Sequence, residues 1–439
     1  MATAVTKRAT RGTGGMTFFL SAMDPRAKVK GSRDGLGAQG VWAAAGRPLI
    51  GNLTTVTSSL RGFTTLLVGL RLAAQTAADD AADSAANAFL VWEQMVGYAR
   101  HVVHEHRGFF GYQRVAARTA AAKADGGRVR LSAHSGEQIL GNQRTDGLLG
   151  NYTAPARVSG LVRPGFPVRL TPEAAAFVDD VYMPRLAQAW GREARDLVRA
   201  LGQDSVSFDV RPNQRLAAVA SLFDAGLGAA EARFYQRHLV QGGPSDPTSG
   251  RQVRFAAILG ARLAESEQLS QAVIAQLAAD ADEGGWGDVA GLLRNIGACE
   301  SVLAPATTLF SYLLGRDGDR VEAIAADVRK AWGGRLDSVH PEALSVLPAG
   351  DWRAIATSLD HGDYAGAVTA LVGRNAAVMS ARGGAAPWLD ISNGRVRVQF
   401  RGDEAGSLLD ADEVRQLWWY PYFIPSLRSI LTTLQKGRP

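Results

Sequence analysis

Cysteine is nearly absent. Cys299 is the only one in 439 residues, so an internal disulfide and a cysteine-caged metal are both excluded, and a cytoplasmic compartment is the expectation. Lysine is scarce: Lys7, Lys28, Lys30, Lys123, Lys330 and Lys436 are all of it, and the other basic residues are arginine. With the heavy use of Ala and Gly, this reads as the imprint of a GC-rich bacterial genome. Long apolar runs are missing too. The longest, Phe63 to Ala74, is interrupted by Arg71 and falls short of the ~20 residues that cross a bilayer, so no membrane association is expected. Neither a GxxxxGK[ST] phosphate cradle nor a G-x-S-x-G nucleophile elbow occurs, and Cys299 has no histidine near it in sequence. The acids that might hold Mg²⁺ in a nuclease, Asp179 with Asp180 and Asp280, Asp282 with Glu283, fall in stretches that read as solvated helix or loop. No catalytic residue, metal or cofactor is assigned.

What is present is an uneven charge. The net +6 is concentrated in the first third: residues 1–33 hold seven basic residues against Asp24, and residues 95–163 hold ten against Glu105, Asp125, Glu137 and Asp146. The rest of the chain is mildly acidic. Such asymmetry points to nucleic acid or another polyanion as a partner, with an ordinary solvated surface and a basic tail as the plainer account. Arg100, Arg107, Arg114, Arg128, Arg144 and Arg157 are the candidate nucleic-acid or anion contacts. Residues 1–33 are basic and Thr-rich, lack the apolar core of a secretory signal, and are expected to be a disordered arm, with Met16 an alternative start.

Periodicity predicts a mainly α-helical fold. Ser59 is a plausible N-cap for a helix to about Thr76 with Phe63, Leu66, Leu67, Leu70 and Leu72 as its buried stripe. Asp79 to His106 reads as a long helix with acids at its start and basic residues at its end, the order the helix dipole favours. Arg128 to Ser132 alternates as a short strand. The stretch Ser132 to Val162 sets Gln143, Arg144, Asp146, Tyr152, Arg157 and Ser159 among Gly141, Gly147, Gly150 and Gly160, and reads as a tightly defined polar loop that carries a site. Thr171, Pro172 and Glu173 start a long helix that Pro184 kinks. Asn393–Gly394 between alternating residues marks a β-hairpin, and Asp410 or Asp412 caps a last helix broken by Pro421 and Pro425. The aromatic cluster Trp418 to Phe423 reads as a terminal segment docking large side chains into the body, with base stacking or a partner interface as the alternative.

The expected organisation is a disordered basic arm (1–33), an irregular N-terminal helical domain carrying the Gly-rich polar loop (34–165), a helical bundle (166–382) and a hairpin with a terminal aromatic helix (383–439). A pocket is expected where the 93–106 helix meets the 141–160 loop, built from Glu93, His101, His104, Gln143, Asp146 and Tyr152, with Glu93 facing Arg144 or Arg157. The run HVVHEH places His101, His104 and Glu105 on one helix face, but it is not the HExxH zinc arrangement.

Seven segments carry a resemblance: DGLGAQGVW, AAAGRPLIGNLTTVTSSLRGF, AFLVWEQMVGYAR, RGFFGYQRV, ILGNQRTDGLLGNYTAPARVSGLV, PWLDISNGRVRVQF and WYPYFIPSLRSIL. Together they resemble a group of uncharacterised bacterial proteins associated with anti-phage defence gene neighbourhoods. The resemblance covers both ends of the chain and leaves the helical middle uncovered. It implies a component of a multi-gene defence complex acting beside a helicase, nuclease or other effector, and it brings no catalytic residues. The expectation is therefore a non-enzymatic binding or scaffold component that contacts DNA, RNA or an acidic partner, together with other subunits of such a complex. The alternative is a hydrolase or nuclease using the pocket above.

Overall fold

The computed structural model describes residues 34–76, 82–224, 226–262, 268–337, 339–340, 342–383, 386–399 and 405–436. The basic arm expected at 1–33 lies outside them. In chain order the elements are α1 (Ala38–Gly46), α2 (Leu60–Thr76), α3 (Ala82–His104), α4 (Tyr112–Ala124), β1 (Arg128–Leu131), α5 (Gln143–Asp146), α6 (Leu148–Val158), α7 (Pro172–Val181), α8 (Met183–Trp190), α9 (Arg195–Leu201), β2 (Val206–Asp209), α10 (Gln214–Ser221), α11 (Ala229–Tyr235) and α12 (Arg251–Ala261). They continue with α13 (Gln271–Glu283), α14 (Gly287–Leu313), α15 (Val321–Trp332), α16 (Ala343–Val346), α17 (Asp351–Asp360), α18 (Tyr364–Ala381), β3 (Leu389–Ser392), β4 (Arg395–Val398), α19 (Ala411–Gln416) and α20 (Ile424–Lys436). The chain is mainly α, with a small C-terminal hairpin, as the periodicity predicts. Among the described residues no helix is long and apolar enough to cross a membrane.

Two compact units emerge. Among the described residues, one gathers 46–262, 280–289 and 421–436; the other gathers 34–45, 268–279 and 290–420. The first is organised around α3, in which every residue from Ala88 to Arg100 is buried. A helix buried on all sides needs neighbours on all sides, and α2, α4, α6, α9, α10 and β1 supply them. Helix α2 starts where its cap predicts, the Ser59 hydroxyl accepting from the Gly62 amide at 3.2 Å. Two of its glycines are there for close approach: a Cβ at Gly69 would lie 2.4 Å from the Trp92 ring, and one at Gly62 would lie 2.5 Å from the Tyr152 ring. Trp92 is locked in turn by its indole N–H donating to the Thr65 carbonyl at 3.0 Å.

Three features depart from the sequence reading. The strand expected at 128–132 forms as β1, but it pairs antiparallel with β2, in register Arg128↔Asp209 to Leu131↔Val206. The sequence pattern places residues 206–209 within the helical bundle (166–382). This ladder, with α10 packed on α3, draws the chain beyond 165 into the same unit as the chain before it. Second, much of the glycine-rich stretch expected to be a loop is helical. Asn142 caps α5 by accepting from the Thr145 amide, and Gly147 and Gly150 let α5 and α6 touch backbone to backbone. A Cβ at Gly150 would lie 2.0 Å from the Thr145 carbonyl, and one at Gly147 would lie 2.4 Å from that of Gln143. Gly147 and Gly150 thus serve close approach, whereas Gly160 takes a left-handed φ of 71° at the turn after α6. Third, the helix capped by Thr171 does not merely kink but breaks at Tyr182, two residues before Pro184, into α7 and α8, and resumes as α9 after a short 3₁₀ turn.

In the second unit the hairpin turns through Asn393 at φ 52° and Gly394 at φ 71°, the left-handed pair that matches strand twist. Asn375 fastens it, its side-chain oxygen accepting from the Trp388 amide at 2.7 Å and its amide donating to the Gly35 carbonyl at 2.8 Å. Asp410 and Glu413 form a reciprocal capping box on α19. The buried Glu300 carboxylate receives the backbone N–H groups of Trp419 and Tyr420, and Tyr420 stacks on Trp42 at 6.3 Å between centroids. Trp419 remains 48% exposed. In the first unit Tyr422 and Phe423 are buried, and the Arg47 guanidinium lies 3.7 Å from the Phe423 ring centroid.

Candidate functional site

Helix α3 puts Glu93, Val96, Gly97 and Arg100 on one face, the i, i+3, i+4, i+7 positions. That face borders a cavity of about 320 Å³, closed on its other sides by the start of α2, by Leu148 and Tyr152 of α6, and by the 107–110 turn with Phe109 and Phe110. Gly97 lets the Phe109 ring close on the middle of this face, since a Cβ there would sit 3.2 Å from that ring. The cavity is mainly apolar with a few polar groups at fixed positions, the usual make-up of a small-molecule site.

Glu93 is held rigidly at one end. One carboxylate oxygen accepts from the Leu148 amide at 2.7 Å, the first residue of α6, and the other accepts from the Gln143 side-chain amide at 2.8 Å. Gln143 also donates to the Leu90 carbonyl at 2.9 Å, and it accepts from Gln94 and from the Ile139 amide, each at 3.2 Å. Burial pushes the Glu93 carboxyl up to about 7, against the opposing pull of the Leu148 and Gln143 hydrogen bonds. At the same time these bonds satisfy a group that would otherwise be costly to enclose.

Arg100 sits two turns further along and is only 6% exposed. One guanidinium nitrogen donates to His106 Nδ1 at 2.8 Å, and the rings of Phe109 and Phe223 flank it at 5.4 and 5.3 Å, a cation–π setting. Among the described residues no carboxylate pairs with it. Burial, then the nearby Arg61 cation, lowers its pKa to about 10, so it stays charged at neutral pH. His106 is pushed below its ordinary value by burial and then by Arg100, consistent with a neutral ring accepting from the guanidinium. Arg107 is exposed and also lines the cavity. Tyr152, buried and pushed up to about 12 by burial, keeps its proton and faces Ser59.

Of the six residues expected to form a pocket, Glu93 and Tyr152 line this cavity and Gln143 braces Glu93 from behind. The other three point elsewhere. Asp146 is exposed and accepts from the Thr145 hydroxyl. His101 meets the Tyr112 ring edge-on at 5.5 Å. His104 lies 3.0 Å from the Ala220 carbonyl and 3.5 Å from the Asp224 carboxylate. Among the described residues no group of three His, Cys, Asp or Glu side chains is placed to hold a metal ion. Glu93 faces neither Arg144 nor Arg157: Arg144 pairs with Asp83 at 2.6 Å, and Arg157 reaches the Arg163 and Gly165 carbonyls. Arg114 donates to the Gln138 and Leu140 carbonyls and Arg128 to Ser207, all four from exposed positions. Phe109, Phe110, Ser59 and Gly97 are site residues that the sequence reading left out. The signal available for Gly97 is its place between Glu93 and Arg100 on one face of α3.

No family model matches this chain, and no curated protein or solved structure matches it either.

Proposed function

We propose that this chain is a binding component that takes a small anionic ligand into the cavity beside α3, with Arg100 as the anchoring cation. The observation that carries the reading is Arg100 itself: a buried guanidinium lining a cavity, with a neutral histidine and two aromatic rings for company and, among the described residues, no carboxylate to balance it. An enclosed charge without a counter-charge is costly, and an incoming carboxylate or phosphate would supply charge-assisted, two-pronged hydrogen bonds. Arg107 adds a second cation. The resemblance to proteins of anti-phage defence neighbourhoods supplies the proposed setting, a recognition subunit of a multi-gene complex. Nucleic acid is the alternative anion in that setting, met by the exposed Arg107, Arg114, Arg128, Arg144 and Arg157.

The test is equilibrium binding of inorganic phosphate, phenylacetate, a fluorescent duplex DNA and a single-stranded RNA, each at several salt concentrations, to the wild type, Arg100→Met and Arg100→Lys. Saturable binding of a small anion that weakens at least about tenfold in Arg100→Met and recovers in part in Arg100→Lys is the expected outcome. No small-anion binding, or binding indifferent to Arg100, overturns it. DNA or RNA affinity falling linearly and steeply with log salt would move the function to the exposed arginines.

A second reading, a hydrolase in the same cavity, is favoured by Glu93, whose carboxyl titrating near 7 suits a general base. It requires turnover that Glu93→Gln abolishes.

A further inference from the structure

The cavity has two ends, and its second end carries information about the ligand. On the reading that Arg100 anchors an anion, we infer that the ligand is an aromatic acid bearing an O–H or N–H donor at the end opposite its anionic group, and that Glu93 receives that donor.

Three features support this. First, Glu93 and Arg100 share one face of a straight helix seven residues apart, so their Cα atoms are separated by roughly 10 Å along the axis. Both side chains border the same cavity. A ligand gripping Arg100 at one end extends toward Glu93 at the other.

Second, a carboxylate offers about four acceptor positions. The Leu148 amide and the Gln143 side chain take one on each oxygen. Those two bonds leave acceptor capacity on a group that cannot swing away, because Gln143 is itself tied to Leu90, Gln94 and Ile139. An acceptor pinned in this way discriminates sharply, since a ligand lacking the donor gains nothing while the carboxylate stays desolvated.

Third, the span between the two charged ends is apolar: Val96, Phe109, Phe110 and Leu148 with the bare backbone of Gly97. Phe110 lies edge-on to Tyr152, at 6.3 Å. Two phenyl rings and aliphatic side chains along this span favour an aromatic ring over a polar chain between the two ends. The volume of about 320 Å³ suits one ring with short substituents better than a nucleotide or peptide.

Calorimetric titration of the full chain with phenylacetate and 4-hydroxyphenylacetate, beside the inorganic phosphate titration above, tests this. The pair differs only in the far hydroxyl. At pH 8, above the value of about 7 to which burial pushes the Glu93 carboxyl, a hydrogen bond to the charged acceptor is expected to make the hydroxylated probe bind about tenfold more tightly or better. In Glu93→Gln, where an amide replaces one acceptor by a donor, that ratio is expected to fall to within about threefold. Equal affinities in the wild type, both dependent on Arg100, overturn the inference and leave the anion reading standing. So does Arg100-dependent binding of phosphate without either aromatic acid. A hydroxyl preference that survives Glu93→Gln overturns it by placing the acceptor elsewhere. Absence of all small-anion binding overturns the anion reading beneath it. Glu93→Asp, which keeps the carboxylate but withdraws it by one methylene, is the second variant: it is expected to give an intermediate ratio, and a ratio equal to that of the wild type counts against Glu93 as the receiver.

Discussion

Replacing Glu93 by glutamine should flatten part of the pH dependence of this protein's stability. Glu93 is fully buried, and its carboxyl is pushed from an ordinary 4.5 up to about 7, burial being the first cause. Between those two values the folded chain holds a proton at Glu93 that the unfolded chain has released. Stability therefore falls as pH rises through that window, because the unfolded state binds fewer protons there. The stabilising contribution is fully present below the unfolded value and is lost once pH passes the folded one. A shift of roughly 2.5 units corresponds to on the order of 3 kcal/mol, and between pH 5 and pH 8 about 2–3 kcal/mol of it should be visible.

Urea denaturation of the wild type and Glu93→Gln at pH 5, 6, 7 and 8 reads this out, with free energies from midpoints at comparable m. The variant starts from a handicap of about 1–3 kcal/mol, because either the Leu148 amide or the Gln143 amide loses its acceptor. That handicap should shrink as pH rises, since the wild type must bury a charge and the variant need not. Histidines and other carboxyls titrate in both proteins and cancel in the difference. Parallel curves would refute the reasoning: Glu93 would then ionise as it does in water, and its enclosure by Gln143 and Leu148 would be looser than the structure has it.

Two further predictions rest on the same unit. Gly150→Ala places a Cβ against the Thr145 carbonyl, 2.0 Å away, and should cost more than about 2 kcal/mol by overpacking, whereas Gly141→Ala meets nothing within 4 Å and should stay within about 0.5 kcal/mol of wild type; urea midpoints separate them. Glu231 is fully buried and pairs with Arg61, and it also accepts from the Tyr182 hydroxyl at 2.6 Å. Glu231→Gln should lose roughly 3–5 kcal/mol through the stranded guanidinium, and the double variant Arg61→Met with Glu231→Gln should recover part of it; a cycle with no coupling would contradict the pair.

What could be read from the sequence was what is decided locally. The start of α2 follows from Ser59 and its apolar stripe, the start of α7 from Thr171 and Pro172, and the hairpin from Asn393–Gly394, because caps and two-residue turns depend on neighbours within four positions. The β1–β2 ladder joins residues some 77 apart along the chain, in register Arg128↔Asp209 to Leu131↔Val206, and a lone four-residue strand gives no hint of its partner. The glycines of 141–160 were visible, but whether a glycine serves a turn or a close approach depends on what lies across from it. For Gly147 and Gly150 that is the backbone of α5.

The cavity shows the same boundary at the level of single side chains. Glu93, Gln143 and Tyr152 were recognisable as unusual, and the structure brings them together. Arg100 read as one surface arginine among six because its burial depends on Phe109 from the following turn and Phe223 beyond α10 closing over it. Yet α3 carried a clue that needs no partner to be known. A helix apolar on every side from Ala88 to Ala99 has no solvated face, so each polar residue within or ending that run must be buried, and a buried charge must either find a counter-charge or await one. Glu93 found amide donors, and Gln94 found the backbone of Ser132, through bonds of 2.8 and 3.2 Å. Arg100 found the neutral His106 ring but, among the described residues, no carboxylate, which is why the search for this protein's ligand starts there.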